Sequence, residues 1–280
     1  MPPMPRLATI ANVQQAISQL LVTREPEFQR FGVSLFLTLA ALVLCWKGIR
    51  MMLAHSQGGD HTGDFAQFLL VASCNYAMLA FYESPIPGIG VSFSNLITDQ
   101  MAYFMNILDA RSLENTFTHL DVLWTKFVVP DTWSILGNLI YWVLLLVITI
   151  TKGVSLAVVA FGLIASAVCA LLGPIFIPFL IVPMFDWLFW GWLKSFLQYS
   201  LIPVAALAYL MVGEHFIYDF VTKVPLGVTE DQYPLYALQA LVVVGTFAGG
   251  IVLIPVFTNS LFSGHSYGSA GGLLAVLTRK

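Results

Sequence analysis

GVSLAVVAFGLIASAVCALLGPIFIPFLIVPMF, Gly153 to Phe185, is a run of 33 positions without a charge. A helix crossing the hydrocarbon core uses about 20 residues, so this run is too long for one span and short for two. Its middle is interrupted by Gly173-Pro174, followed by Pro178 and Pro183. Proline removes a backbone donor, and lipid cannot satisfy the group left behind. Such backbone has to face protein or a water-filled cavity. Broken segments of this kind belong to channels, transporters and secretion machines. The run leads into Asp186-Trp187-Leu188-Phe189-Trp190-Gly191-Trp192-Leu193-Lys194.

The rest of the chain is of the same character. Its 280 residues are 58% apolar and 10% charged, which leaves no room for a water-soluble domain of ordinary size. The fold class is all-α: a polytopic membrane protein of about five transmembrane helices, a re-entrant or broken helical hairpin, and amphipathic helices outside the membrane. Five runs are long enough to cross: Phe31–Met52, Phe65–Phe81, Trp133–Ile150, Phe196–Val212 and Leu235–Phe257. No charged region leads into an apolar stretch at Met1-Pro2-Pro3-Met4-Pro5, so no signal peptide is read there. Ile10, Val13, Ile17, Leu20 and Leu21 recur at helical spacing and predict a short amphipathic helix on the membrane surface or a partner subunit. Cys45, Cys74 and Cys169 lie inside apolar runs and read as small core residues without a disulfide framework.

Charge placement gives an orientation. Lys47 and Arg50 close the first run, which puts that end in the cytoplasm and the N-terminus outside. The stretch Tyr82–Asp131 carries six acidic residues against Arg111 and Lys126, and reads as external. Lys152 is placed at the inner end of the third span, and Arg279 and Lys280 put the C-terminus inside. The segment 153–193 then makes an even number of crossings. A re-entrant hairpin broken at Gly173-Pro174 fits this count; two short tilted helices are the alternative. Trp187, Trp190 and Trp192 are assigned to the cytoplasmic interface, where amphipathic rings prefer to sit.

The resulting organisation is an amphipathic external segment 1–30, a first helix pair 31–81, an external helical loop 82–132, a membrane core 133–257 with its broken part at 153–193, and a Gly/Ser-rich tail 258–280. Within the loop, Ile97, Met101, Phe104 and Leu108 recur at i, i+4, i+7 and i+11, as do Leu113, Phe117, Leu120 and Trp124. Ser112 stands between the two repeats as a candidate N-cap. Two amphipathic helices need their apolar faces covered. They either pack on each other or on the bilayer, or they form a docking platform for a partner.

Candidate chemistry is sparse. Gly264-His265-Ser266-Tyr267-Gly268 matches G-x-S-x-G, but the motif needs a strand–turn–helix and a downstream acid and histidine. Only 12 residues follow Gly268, none of them His, Asp or Glu. His55, Asp60, His61 and Asp64 are metal-capable types, yet a short solvated turn explains them, with Asp64 as a cap. Glu214-His215 lacks the second histidine of a zinc motif, and no phosphate cradle ending in Lys-Ser or Lys-Thr is present. No enzyme activity, catalytic residue, metal or cofactor is assigned. Ionisable residues are almost absent from span interiors, which counts against ion-coupled transport. Asn75 and Asn138 read as hydrogen-bonders between helices. Gly245-x-x-x-Gly249, Gly162-x-x-x-Ser166 and Ala165-x-x-x-Cys169 have the spacing of close helix packing.

The stretch LLGPIFIPFLIVPMFDWLFWGWLKSFLQYSLIPV, Leu171 to Val204, resembles the core of the TrbL/VirB family of polytopic inner-membrane subunits of type IV secretion and conjugation systems. The residues that carry the resemblance are Leu172-Gly173-Pro174, the Trp187–Trp192 turn and Leu201-Ile202-Pro203. The resemblance implies a bacterial inner-membrane channel or scaffold subunit that supports pilus assembly and the passage of DNA or protein. It implies a homo-oligomeric ring, by family likeness a pentamer, touching minor and major pilins and other inner-membrane proteins directly and the ATPases indirectly. On this reading, Met101, Phe104, Leu108, Phe117, Leu120 and Trp124 form the periplasmic platform, and the Gly173-Pro174 break shapes a cavity or pilin-loading groove. A small-molecule secondary transporter is the alternative. It calls for an inverted repeat, and Gly249-Gly250 with Pro255 is only a weak second copy of the break.

Overall fold

A computed structural model describes residues 9–54, 61–108, 111–131 and 133–263. Helix dominates, and no strand longer than a single bridge occurs among the described residues. The helices are α1 (Thr9–Ala54), α2 (His61–Ala80), α3 (Phe93–Ile107), α4 (Arg111–Thr125), α5 (Ile135–Phe176), α6 (Asp186–Lys223) and α7 (Tyr233–Ser263). A 3₁₀ turn, Ile177–Ile181, follows α5. Among the described residues, four segments are long and apolar enough to cross a membrane: Pro26–Leu53, Ile135–Ile181, Asp186–Lys223 and Tyr233–Phe262. Phe65–Ala80 is a shorter apolar helix. The chain is a multi-pass, all-α membrane protein.

Several boundaries differ from those read in the sequence. No boundary falls at residue 30: α1 is one helix of 46 residues that runs through Pro26. A proline removes one intrahelical bond, and the neighbouring bonds can carry the helix past it. Nor does the chain turn at Lys152-Gly153. Helix α5 continues through both for 42 residues, about 63 Å at 1.5 Å per residue, twice the thickness of a hydrocarbon core. Lys152 is no span end. It pairs with Asp121 of α4, a residue that charge counting had assigned to the opposite side.

Residues 153–193 form no separate re-entrant segment: they continue α5 and α6, and the turn between these helices lies further along than Gly173-Pro174. Both residues are inside α5, and the chain reverses over residues 177–185. The Trp-rich stretch expected as a turn is the first part of α6, which begins with Asp186 in its first turn, where a carboxylate suits the helix dipole. Ser112 is not an N-cap either. It lies within α4, and its hydroxyl donates to the Leu108 carbonyl at 3.2 Å.

The described residues fall into two compact units. One consists of residues up to Gln100 together with Leu163–Ser200. Its core joins Phe36 of α1, Phe68 and Leu79 of α2, Tyr82, Ile177 and Ile181 of the turn, and Phe189, Trp192 and Phe196 of α6. The other consists of Met101–Gly162 and the residues from Leu201 on. Its buried residues include Leu120 and Leu123 of α4, Leu144 of α5, Leu207 and Ile217 of α6, and Val244 and Ile251 of α7.

The outward faces are apolar. Leu37, Leu42, Leu139, Leu146, Phe161, Leu238 and Val252 are all exposed, which is tolerable where lipid is the solvent. Cys45 and Cys74, expected in the core, also lie on exposed faces, because lipid solvates a small apolar residue at no cost.

Candidate functional site

The first unit is organised around Pro174. A proline cannot donate to the carbonyl four residues earlier, here that of Ala170. The hydroxyl of Tyr82, just past the end of α2, donates to that carbonyl instead. The indole Nε1 of Trp192 donates to the adjacent Cys169 carbonyl at 2.7 Å. Gly173 leaves room for both rings. A Cβ there would fall on the Tyr82 hydroxyl and 2.8 Å from a Trp192 ring carbon. On α1, Gly32 presses against the backbone of Pro174, with an ideal Cβ 2.8 Å from its carbonyl carbon. Four segments therefore meet at the proline, and each contributes a residue whose size or polarity the contact requires.

Beside it, Asn75 of α2 is fully buried. Its Nδ2 donates to the Ile177 carbonyl at 2.7 Å, so it bonds across elements as the sequence predicts. Its Oδ1 has no hydrogen-bond partner among the described residues. Asn138 behaves differently. It bonds the Asp131 and Ser134 carbonyls at 2.9 and 2.8 Å, at the start of its own helix, and among the described residues these bonds join no second helix. Gln29 of α1 donates to the Leu79 carbonyl at 2.9 Å and ties α1 to the end of α2. In the loop that follows, burial pushes the Glu83 carboxyl above the usual carboxylate range, and its Oε1 has no hydrogen-bond partner among the described residues.

Gly173, Pro174 and Pro178 are buried in this packing. Pro183 edges a cleft of about 440 Å³, together with Leu42, Trp46, Lys47 and Arg50 of α1 and Phe65 of α2. The three tryptophans separate. Trp187 and Trp190 are exposed and suit an interface; Trp192 is 5% exposed and points into the core. Helical geometry accounts for this: 187 and 190 share a face, and 192 lies about 200° round from 190.

The second unit has its own polar ties. Helix α4 covers its apolar face within the unit. Leu120 is fully buried, Trp124 packs on Tyr141 with ring centroids 4.1 Å apart, and the Lys152 ammonium lies 5.8 Å from the Phe117 ring centroid. His119 faces Glu214 at 3.8 Å. In α3, Ile97 is buried as the stripe expects, Met101 is half-buried and Phe104 is 48% exposed; Leu108, just past the helix, is half-buried. Met105, one position off the stripe, is buried as well.

Lys126 is buried, and its ammonium donates to the carbonyls of Val221 and, at 2.6 Å, Val224, at the C-terminal end of α6. A cation at that end satisfies orphan carbonyls and the dipole together. Around it, the Gly227 and Val228 amides donate to the Lys126 carbonyl at 3.1 and 3.0 Å, and the Tyr233 hydroxyl donates to that of Val128. Gly227 has φ +75°, a left-handed turn that favours glycine. Sequence reading counted Lys126 only as a loop charge. The signal present was a lysine directly after an amphipathic helix.

Among the glycines read as packing residues, Gly162 packs against the Pro203 ring, with 2.6 Å from an ideal Cβ to Cδ. Gly245 and Gly249 face open space. Glycines that do pack between α6 and α7 are Gly250, against Tyr209, and Gly213, against Phe247. His55, Asp60 and the Gly264–Gly268 segment lie outside the described residues, as do the side chains of His61 and Asp64 and the terminal Arg279 and Lys280. Among the described residues, no three His, Cys, Asp or Glu gather into a metal-capable group.

The family model described as TrbL/VirB6 plasmid conjugal transfer protein matches residues 40–254. That range takes in the cleft end of α1, the whole Pro174 node except Gly32, and the Lys126 tie. No curated relative matches the chain.

Proposed function

Because the chain belongs to the TrbL/VirB6 family of plasmid conjugal transfer proteins, we propose that it is an inner-membrane channel or scaffold subunit of a type IV secretion system. On this reading, it supports pilus assembly and the passage of DNA or protein, and it is a subunit rather than an enzyme. The match across residues 40–254 is the observation that carries this. The packing of the chain agrees with a scaffold. The proline-containing end of α5 and the turn after it are tied by tyrosine, tryptophan and asparagine hydrogen bonds, and the span interiors are apolar.

The protein would work as a homo-oligomeric ring, by family likeness a pentamer, in contact with pilins and other inner-membrane subunits and indirectly with the secretion ATPases. Lys47 and Arg50 at the far end of the first span favour a cytoplasmic α1–α2 turn and an external N-terminus. Helices α3 and α4 would then serve the pilin-facing side. Because α4 spends its apolar face on its own unit, the exposed residues Tyr103, Phe104 and Ile107 of α3 are the surface left for a pilin.

Purification from the native host in mild detergent tests this reading. A high-order oligomer that carries other secretion subunits is expected. A strict monomer without them would overturn it, as would uptake of a small solute by the isolated protein in liposomes.

A further inference from the structure

We propose that the joined loops after α4 and α6, at one end of the second unit, are seated in the headgroup region of the bilayer, with Val129, Trp133 and Leu226 inserted among the lipids. This goes beyond the secretion reading and does not rest on it; it needs only that the chain is a multi-pass membrane protein.

The two loops form a fixed scaffold. Phe127 and Val228 make a bridge, and the Val128 amide donates to the Val228 carbonyl at 3.2 Å. The Phe127 ring stands edge-on to Tyr233, with centroids 5.7 Å apart. Lys126 ties this end to α6 through the Val221 and Val224 carbonyls. On the scaffold, the distribution usual in water is inverted. Lys126 is buried, along with Phe127, Pro130 and Val228. Val129, Trp133 and Leu226 are 69%, 91% and 83% exposed. A single exposed apolar side chain is ordinary on a wet surface. A lysine turned inward beneath a set of apolar side chains turned outward is the pattern of a surface whose solvent is apolar.

Continuity identifies the occupant. The apolar exposure runs on from Trp133 through Ile135, Leu139 and Trp142 of α5, and from the second loop through Leu235 and Leu238 of α7. Both helices belong to segments long and apolar enough to cross a membrane. A water-soluble partner on the loops alone would leave the helix sides uncovered, whereas a bilayer covers loops and sides as one surface. Charge sets the depth. Asp131, Lys223 and Asp231 are exposed at the same end, and charges are costly in hydrocarbon, so the loops lie at the headgroup level, where tryptophan rings favour sitting. Two carboxylates against one ammonium offer nothing to an anionic lipid, so the insertion rests on apolar contact.

The experiment uses the full chain in phosphatidylcholine vesicles. Spin labels are placed at Val129→Cys and Leu226→Cys in a background with Cys45, Cys74 and Cys169 replaced, and Leu139→Cys on the side of α5 is the reference. Collisions with oxygen, which concentrates in lipid, should exceed those with a water-soluble nickel chelate severalfold at all three positions. Dominant collisions with nickel at 129 and 226 would overturn the proposal and leave the loops in water for a soluble partner. Low collision rates with both reagents would also overturn it, in favour of a protein contact. Trp133 decides independently if the cysteine variants do not fold. The fluorescence difference between wild type and Trp133→Phe should be quenched more by lipid brominated near the headgroup than by lipid brominated at the chain end, and little by aqueous iodide. Stronger quenching by iodide than by either lipid would count as failure.

Discussion

The Tyr82 hydroxyl donates to the carbonyl of Ala170, the acceptor that Pro174 leaves without its helical donor. A carbonyl buried unpaired costs about 1–3 kcal/mol, so this bond offsets the cost of the proline inside α5. Removing only the hydroxyl isolates the effect. Tyr82→Phe should destabilise the protein by about 1–3 kcal/mol without altering its packing volume. Thermal unfolding in detergent measures it, with far-ultraviolet circular dichroism as the control for helix content. An unchanged melting temperature would mean that the carbonyl finds another donor.

Gly32 is held by the same proline from the other side. A Cβ at position 32 would meet the carbonyl group of Pro174, which is backbone and cannot swing aside. Gly32→Ala should therefore cost about 1–3 kcal/mol, as overpacking usually does. Gly153→Ala is the internal contrast. That glycine is inside α5 with nothing within 4 Å, and alanine there should be neutral or stabilising by up to about 1 kcal/mol. Melting both variants side by side tests the contrast, and a Gly32→Ala protein as stable as Gly153→Ala would refute the close contact.

These two sites show what was legible in the sequence. Apolar runs gave the membrane class and the approximate places of α1, α2 and α7, because lipid imposes length and composition directly. Gly173-Pro174 stood out as special, but as a break. The partners that cancel the break, Tyr82 and Trp192, lie about 90 residues upstream and 18 downstream in the chain, and no local pattern links them. The same holds for Lys152: a lysine after an apolar run looks like a span end unless the distant Asp121 is known to meet it. Trp192 was separable, since helical phase alone puts it on a different face from Trp187 and Trp190.

Lys126 should prove costly to remove. Lys126→Met keeps the apolar stem but leaves the Val221 and Val224 carbonyls without the ammonium. The expected loss is about 2 kcal/mol, from two acceptors and the dipole interaction at the end of α6. Hydrogen exchange locates it: amides of residues 217–223 should exchange faster in the variant, while those of α1 and α2 stay as in wild type. Uniform protection across α6 would show that the lysine does not cap it.

Glu83 should make stability depend on pH. Burial raises its carboxyl above the ordinary value of 4.5. Below that value both folded and unfolded chains hold the proton, and the residue has no effect. As pH rises through the ordinary value and then the raised one, the unfolded chain releases its proton more readily, so folded stability falls and stays lower beyond. Glu83→Gln removes this loss. The variant and wild type should melt together near about pH 4 and diverge by about pH 8, with the variant the more stable. A constant difference between them at all pH values would contradict the shift.

The pairing of Asp121 with Lys152 makes a prediction about topology. If α4 lies along the first part of α5, the two positions are on the same side of the membrane barrier, although each alone reads as belonging to a different side. In a background with Cys45, Cys74 and Cys169 replaced, Asp121→Cys and Lys152→Cys should both react with a membrane-impermeant maleimide added to one and the same side. Labelling of the two from opposite sides would break the pairing. Exchanging the charges, as Asp121→Lys with Lys152→Asp, should restore most of what either single change loses. That loss should be on the order of 1 kcal/mol, because the aspartate is well exposed.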